Sequence, residues 1–267
     1  MAEEIKSELS DEVIELIKLL GRKPKLVTIY DPENEGARKY TEIKEKKAGE
    51  LGIQFEKFEI LNPFASRVKF LINDQITKFN NDKNIDGVMI QLPLIDRETD
   101  GELCKLIDPK KDVDGLNPSA GSGQVVMPAT VRAVIEILNN APRPPLNLRG
   151  GDIVVIGNKG VVGSRLMKEL GCQGMDKEDF DPSTLLRADV IISATGVPGL
   201  IKSEMVKDGV ICIDVGFPKG DFDPSIALRA AFFTPVPGGV GPVTVAMLFR
   251  NLVELAKMGG QESAPRF

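Results

Sequence analysis

The chain has no histidine and no tryptophan, and it holds only two tyrosines and three cysteines. Without histidine, a Ser-His-Asp triad, a Cys-His pair and an imidazole metal cluster are excluded, so proton transfer falls to Lys, Asp, Glu, Tyr or Cys. Cys104, Cys172 and Cys212 lie far apart with no CxxC spacing, which reads as reduced thiols of a cytosolic protein and suggests no zinc site. The charge imbalance is small, a formal net −5, and the basic KEKK at Lys44–Lys47 is interrupted by Glu45. Nothing there attracts a polyanion, and nucleic acid is not expected as a partner. No apolar run approaches the ~20 residues that span a bilayer, and MAEEIKSELSDEVIELIKLLGRK lacks the apolar core of a signal peptide. The expectation is a cytoplasmic protein with no membrane partner.

What is present is alternation of strand and helix. Val13, Ile14, Leu16, Ile17 and Leu20 recur at helical spacing over residues 11–20, and Gly21 and Pro24 end that helix. LVTIY (26–30) reads as a buried strand. A helix then runs through GARKYTEIKEKKAGELG to Gly52, followed by the alternating strand IQFEKFEI, the helix SRVKFLINDQITKFNND and the apolar strand DGVMIQLPL, broken by Pro93. After KDVDGLNP and the glycine-rich SAGSG comes the helix PATVRAVIEILNNA, with Pro128 near its start. PRPPLNLRGGD reads as a boundary. A second series follows: strand DIVVIG, helix GVVGSRLMKEL, and strands ADVIISATG and GVICIDVG. Repeated strand-helix-strand units predict an α/β fold in two domains.

Six stretches could carry chemistry. VVIGNKGVVGS sets Gly157, Gly160 and Gly163 between a strand and a helix, as a backbone needs when it must turn sharply and offer helix amides to a pyrophosphate. A purely structural turn is the alternative. Asp176 stands 19 residues beyond Gly157, near the ~20 at which an acid grips an adenine ribose, though GMDKEDFD also reads as a plain loop. Tyr40 and Lys44, four apart on a helix, share a face; a desolvated lysine could shuttle protons beside a stacking ring, or both could simply face solvent. Gln91 in QLPL follows a buried strand. Asp112 and Asp114 in KDVDG would share a side if extended, as a carboxylate pair, or else form a turn. Finally TPVPGGVGP packs three prolines and three glycines into residues 235–242 ahead of an amphipathic helix, a rigid shaped loop rather than a linker.

Taken in order, YxxxK, QLPL, KDVDG, the glycine turn with VVG, and TPVPGGVGPVTVAML resemble the bifunctional methylenetetrahydrofolate dehydrogenase/methenyltetrahydrofolate cyclohydrolase family, FolD, over residues 26 to 256. The resemblance implies an N-terminal α/β folate-binding domain (1–120, with a C-terminal helix 243–267 packing back on it) and a Rossmann-type dinucleotide-binding domain (121–242), with a cleft between them. It implies Lys44 as general acid/base, oriented by Gln91, and Tyr40 stacked on the folate's aminobenzoyl ring. Asp114 would bind the pterin, and Pro237, Gly238 and Gly239 would lie at the substrate. The dinucleotide would be held by Gly157, Asn158, Lys159, Gly160, Val162, Gly163, Asp176, Lys177, Thr195 and Gly196. The implied reaction oxidises 5,10-methylenetetrahydrofolate with NADP, NAD being the alternative, and hydrolyses the product to 10-formyltetrahydrofolate, in a homodimer.

The chain departs from the family pattern where phosphate is bound. GRSxxVGxP is replaced by GNKGVVGSR, and the next strand is several residues shorter, offering Asp176 and Lys177. Asp176 would repel a 2′-phosphate; Lys159, Lys177 and Arg165, if they converge, would outweigh it, which favours NADP. PATV replaces a threonine-proline pair, and Ala37 stands where a serine is usual. Two rivals follow: a cyclohydrolase that has lost productive dinucleotide binding, and a noncatalytic Rossmann-type ligand sensor, which would need neither Lys44 nor Gln91.

Overall fold

A computed structural model describes residues 1–62, 67–117, 125–141 and 152–262. Pro118 with the SAGSG segment, residues 142–151 of the boundary stretch, Ser66 of the third helix and residues 263–267 lie outside the described residues. The chain divides into two units, one of Met1–Ala129 with Val245–Phe267, the other of Thr130–Thr244.

In the first unit the order is α1 (Ala2–Leu20), β1 (Lys25–Tyr30), α2 (Glu35–Leu51), β2 (Gln54–Glu59), α3 (Val68–Asn81), β3 (Gly87–Ile90) and α4 (Arg97–Cys104). Helix α1 starts nine residues earlier than the spacing of residues 11–20 predicts, because Ile5 and Leu9 continue the buried stripe of Val13 and Leu16. Charged neighbours mask that stripe in the sequence. Gly21, at φ +67, closes the helix in the left-handed conformation that glycine adopts without strain. The three strands are parallel in the order β2-β1-β3. β2 is an edge, and its glutamates and lysine fit a strand with one unpaired side. Val27, Ile29, Val88 and Ile90 pack with Ile72, Ile76 and Leu103 on one face of this sheet. The sequence reading has no counterpart for α4, whose N-cap is Asp96, accepting from the Glu98 and Thr99 amides.

The second unit holds α5 (Ala129–Asn140) from its second residue on, β4 (Ile153–Ile156), α6 (Val161–Leu170), β5 (Gln173–Met175), α7 (Pro182–Leu185), β6 (Val190–Ser193), β7 (Ile211–Asp214), β8 (Phe232–Phe233) and the start of α8 (Val240–Glu262). Its five strands are parallel in the order β5-β4-β6-β7-β8. IVVI, VIIS and ICID are buried at every position, as strands covered on both faces must be. Gly163 permits the tight β4–α6 approach, since a Cβ there would lie 2.2 Å from the Gly157 carbonyl oxygen. Among the described residues no helix is long and apolar enough to cross a membrane.

From Val245 onward α8 belongs to the first unit. Arg250 and Lys257 pair with Glu8 and Glu12 of α1, each at 2.6 Å. Deeper in, the Asn251 amide donates to the carbonyls of Val113 at 2.8 Å and Met127 at 2.9 Å, tying α8 to the KDVDG turn and to the residues just before α5. Asn251→Ala leaves those buried acceptors unmet and should lower unfolding stability by about 2–3 kcal/mol, read as a fall in the denaturation midpoint.

Candidate active site

Lys44 lies within the buried stripe of α2, with Ala37, Thr41, Ala48 and Leu51, rather than on its wet face. The solvent-facing reading of that lysine therefore fails. Its ammonium donates to Gln91 Oε1 at 2.7 Å and lies 3.7 Å from Met89 Sδ. Burial pushes the Lys44 pKa below its ordinary value, and the Asp114 carboxylate draws it partly back. Burial likewise raises the pKa of Asp114, and Lys44 lowers it. The two are electrostatic partners, each stabilising the other's charged form in a site that disfavours both. Tyr40 is half-buried one turn before Lys44, its hydroxyl pKa raised by burial.

The loop that presents Gln91 is held from below. The Gln91 amide continues the ladder to Ile29 O at 2.8 Å, and the Leu92–Pro93 peptide is cis. The Asp100 carboxylate of α4 accepts from the Leu94 amide at 3.0 Å and the Ile95 amide at 2.9 Å. KDVDG forms a turn, so the extended arrangement that would pair its carboxylates does not occur. Asp112 faces inward, accepting from Gly115 N at 3.0 Å and Asn117 N at 2.7 Å. Its carboxyl is pushed up to about 6, chiefly by burial. Gly115 is at φ +66 with the Pro128 nitrogen 2.9 Å from where a Cβ would stand, so glycine alone suits this turn. Asp112 shapes the turn and Asp114 is left to face Lys44. Cys104 and Cys212 are pushed up to about 12 by burial, which removes them as nucleophiles.

In the second unit the glycine turn closes β4 and opens α6. Gly157 is at φ +91, where a Cβ would meet the Ala194 carbonyl at 2.5 Å. Gly160 precedes the first turn of α6, whose leading amides receive no hydrogen bond from a capping side chain. Asn158 Oδ1 is buried with no donor from the chain. A strand-to-helix turn with spare amides and a spare acceptor fits a dinucleotide. Val162 lies in that first turn. GMDKEDFD proves more than a loop: β5 pairs with β4, and Asp176 follows it directly, buried, its Oδ1 accepting from Lys177 N at 2.8 Å. Thr195 and Gly196 follow β6. The rigid 235–242 loop has a cis Val236–Pro237 peptide, Gly238 at φ +106, and Gly239 donating to Pro235 O at 2.7 Å.

Sequence reasoning missed the carboxylates beneath these loops. Asp221 Oδ2 accepts from Ser193 Oγ at 2.7 Å, Thr195 N at 2.7 Å, Thr195 Oγ1 at 2.8 Å and Gly196 N at 3.3 Å. Asp214 accepts from the amides of Gly216, Asp221 and Phe222, and its own amide donates to Thr234 Oγ1 at 2.8 Å. The signal was an aspartate ending an otherwise apolar strand, ICID, with KGDFD soon after.

Comparison with known proteins bears on both units. The family model of the tetrahydrofolate dehydrogenase/cyclohydrolase catalytic domain matches residues 1–114, and that of the tetrahydrofolate dehydrogenase/cyclohydrolase NAD(P)-binding domain matches residues 128–259. The bifunctional protein FolD of Halothermothrix orenii is 36% identical over 280 residues, 97% of this chain and 96% of the relative. The crystal structure of the Campylobacter jejuni bifunctional enzyme FolD superposes with a TM-score of 0.85 at 31% identity, covering 96% of each chain. The Trypanosoma brucei dehydrogenase-cyclohydrolase, described as complexed with NADP cofactor and inhibitor, gives 0.83 at 29% identity over 98% of this chain and 96% of that one.

Since the Asp114 carboxylate raises the Lys44 pKa, Asp114→Asn should move the titration of Lys44 to lower pH, followed by NMR of the selectively labelled side chain. An unmoved titration would mean the two groups are not coupled.

Proposed function

Because the chain belongs to the tetrahydrofolate dehydrogenase/cyclohydrolase family, we propose that it oxidises 5,10-methylenetetrahydrofolate to the methenyl compound with a nicotinamide dinucleotide, NADP or NAD, and hydrolyses that product to 10-formyltetrahydrofolate. The observation that carries the reading is the buried Lys44 ammonium held by Gln91 Oε1 at 2.7 Å, in the part of the chain that matches the family's catalytic domain. A ligand sensor has no use for such a group.

In the hydrolytic step a water adds to the methenyl carbon, and neutral Lys44 takes its proton. The ammonium then protonates N5 as the carbon–N5 bond breaks, while the carbinol proton leaves to solvent and the formyl group stays on N10. Burial supports this cycle because it raises the fraction of neutral amine near ordinary pH, and Gln91 fixes the direction in which the nitrogen points. Tyr40 stacks on the aminobenzoyl ring, Asp114 pairs with the pterin donors, and Pro237, Gly238 and Gly239 border the substrate. Gly157, Asn158, Lys159, Gly160, Val162 and Gly163 hold the pyrophosphate, Thr195 and Gly196 the nicotinamide end, and Asp176 and Lys177 the adenosine. The dinucleotide, when bound, supplies the hydride acceptor. On the same reading the protein is a cytoplasmic homodimer in one-carbon metabolism, furnishing formyl groups for purine biosynthesis; the resemblance to FolD supports this.

Lys44→Met should lower the hydrolysis of methenyltetrahydrofolate by ~10²-fold or more, the usual scale for a lost general acid/base, while dinucleotide binding stays near the parent value. Hydrolysis at the parent rate would overturn the role of Lys44. Asp114→Ala should raise the folate Kd and leave the dinucleotide Kd nearly unchanged; equal loss of both would make the turn's role a structural one.

A further inference from the structure

The dinucleotide reading above leaves open which adenosine ribose the second unit accepts, and the surroundings of Asp176 decide it. Strand β5 lies beside β4 with Met175 opposite Ile156, and the Met175 carbonyl accepts from Gly157 N at 2.9 Å and Asn158 N at 3.3 Å. Asp176, the next residue, is thereby fixed against the glycine turn. Its amide donates to Asp179 Oδ1, its Oδ1 accepts from Lys177 N, and the residue is only 8% exposed. Such a carboxylate presents lone pairs to a vicinal diol. It offers nothing to a phosphate but like charge.

Among the described residues one cation, Lys159, pairs with Asp176. That lysine bridges Glu178 at 2.9 Å and Asp176 at 3.5 Å, so its charge is shared between two carboxylates. Arg165 pairs along its own helix with Glu169 at 3.0 Å. Lys177 is exposed, in a segment that carries the carboxylates of Asp176, Glu178, Asp179 and Asp181 between residues 176 and 181. One lysine shared between two carboxylates does not outweigh them, so the convergence of three cations that favoured NADP is not what the fold builds. Asn158, standing where the resembled family has an arginine, contributes a buried Oδ1 without a donor, an acceptor suited to a hydroxyl. Gly174 leaves room for it: a Cβ there would lie 2.9 Å from Asn158 Cβ.

We propose that Asp176 accepts the 2′-hydroxyl of the adenosine ribose and so makes NAD the tighter-bound dinucleotide, NADP remaining the weaker one. The proposal rests on the dehydrogenase reading, and binding rather than turnover tests it. Calorimetric titration of the intact protein with NAD and with NADP should give a Kd for NADP at least tenfold higher. Asp176→Ser should reduce that ratio at least tenfold. Asp176→Asn, which keeps the side chain's shape and removes its charge, should move the ratio in the same direction and guards against a misfolded serine variant. NADP binding more tightly than NAD in the parent, or a ratio unmoved by both variants, overturns the proposal alone. Failure of both dinucleotides to bind, with methenyltetrahydrofolate hydrolysis intact, overturns it together with the dehydrogenase half of the proposed function.

Discussion

A charged nitrogen that has been taken out of water governs the first unit. Lys44 could not occupy the buried stripe of α2 unless something replaced its hydration, and the replacement comes from β3 and the KDVDG turn: Met89, Gln91 and the field of Asp114. Each of these needs its own support. Asp100 holds the loop after Gln91, Asp112 bends the turn that presents Asp114, and Asn251 clamps that turn from α8. Removing a partner of a desolvated charge costs far more than the partner's bond contributes in water. The fold of this unit is therefore arranged around one side chain.

The second unit uses buried anions in a corresponding way. Asp214 and Asp221 are almost wholly inaccessible, and their acceptors go to backbone amides and hydroxyls of the loops after β6 and β7. Gly216 and Gly220 are glycines because a Cβ at either would approach an Asp214 or Asp221 oxygen to 2.4–2.5 Å. Thr234 joins the loop after β8 to the same network. The loops after β6 and β7 are held in place by hydrogen bonds to fixed carboxylates, the stronger kind of hydrogen bond.

Much of this was legible in the sequence because it depends on period and punctuation. β1, β4, β6 and β7 announce themselves as short apolar runs, the end of α2 as a glycine, and Tyr40 with Lys44 as neighbours on one face. What escaped depends on tertiary context. The first half of α1 hides its stripe among acidic residues, α4 is too short and polar for periodicity to register, and β5 has only three residues, one a glycine that packs against Met167. Whether a helix lysine is wet or buried, and whether an aspartate caps a turn or faces a ligand, is decided by elements distant in the chain. Spacing can pair Asp112 with Asp114, but only the turn separates their tasks.

The bond from Asn251 to the KDVDG turn joins residues more than a hundred positions apart. Synthesis runs from the N-terminus, so the strands and helices that cradle Lys44 leave the ribosome well before the donor that completes the turn beside Asp114. The two parts of the first unit are separated in synthesis by the whole of the second unit. A nascent chain arrested after β8 would carry a second unit with all its strands and a first unit still missing the residues of α8. Closure of the turn beside Asp114 is thus coupled to synthesis of α8, since only a chain that already includes Asn251 can make this bond.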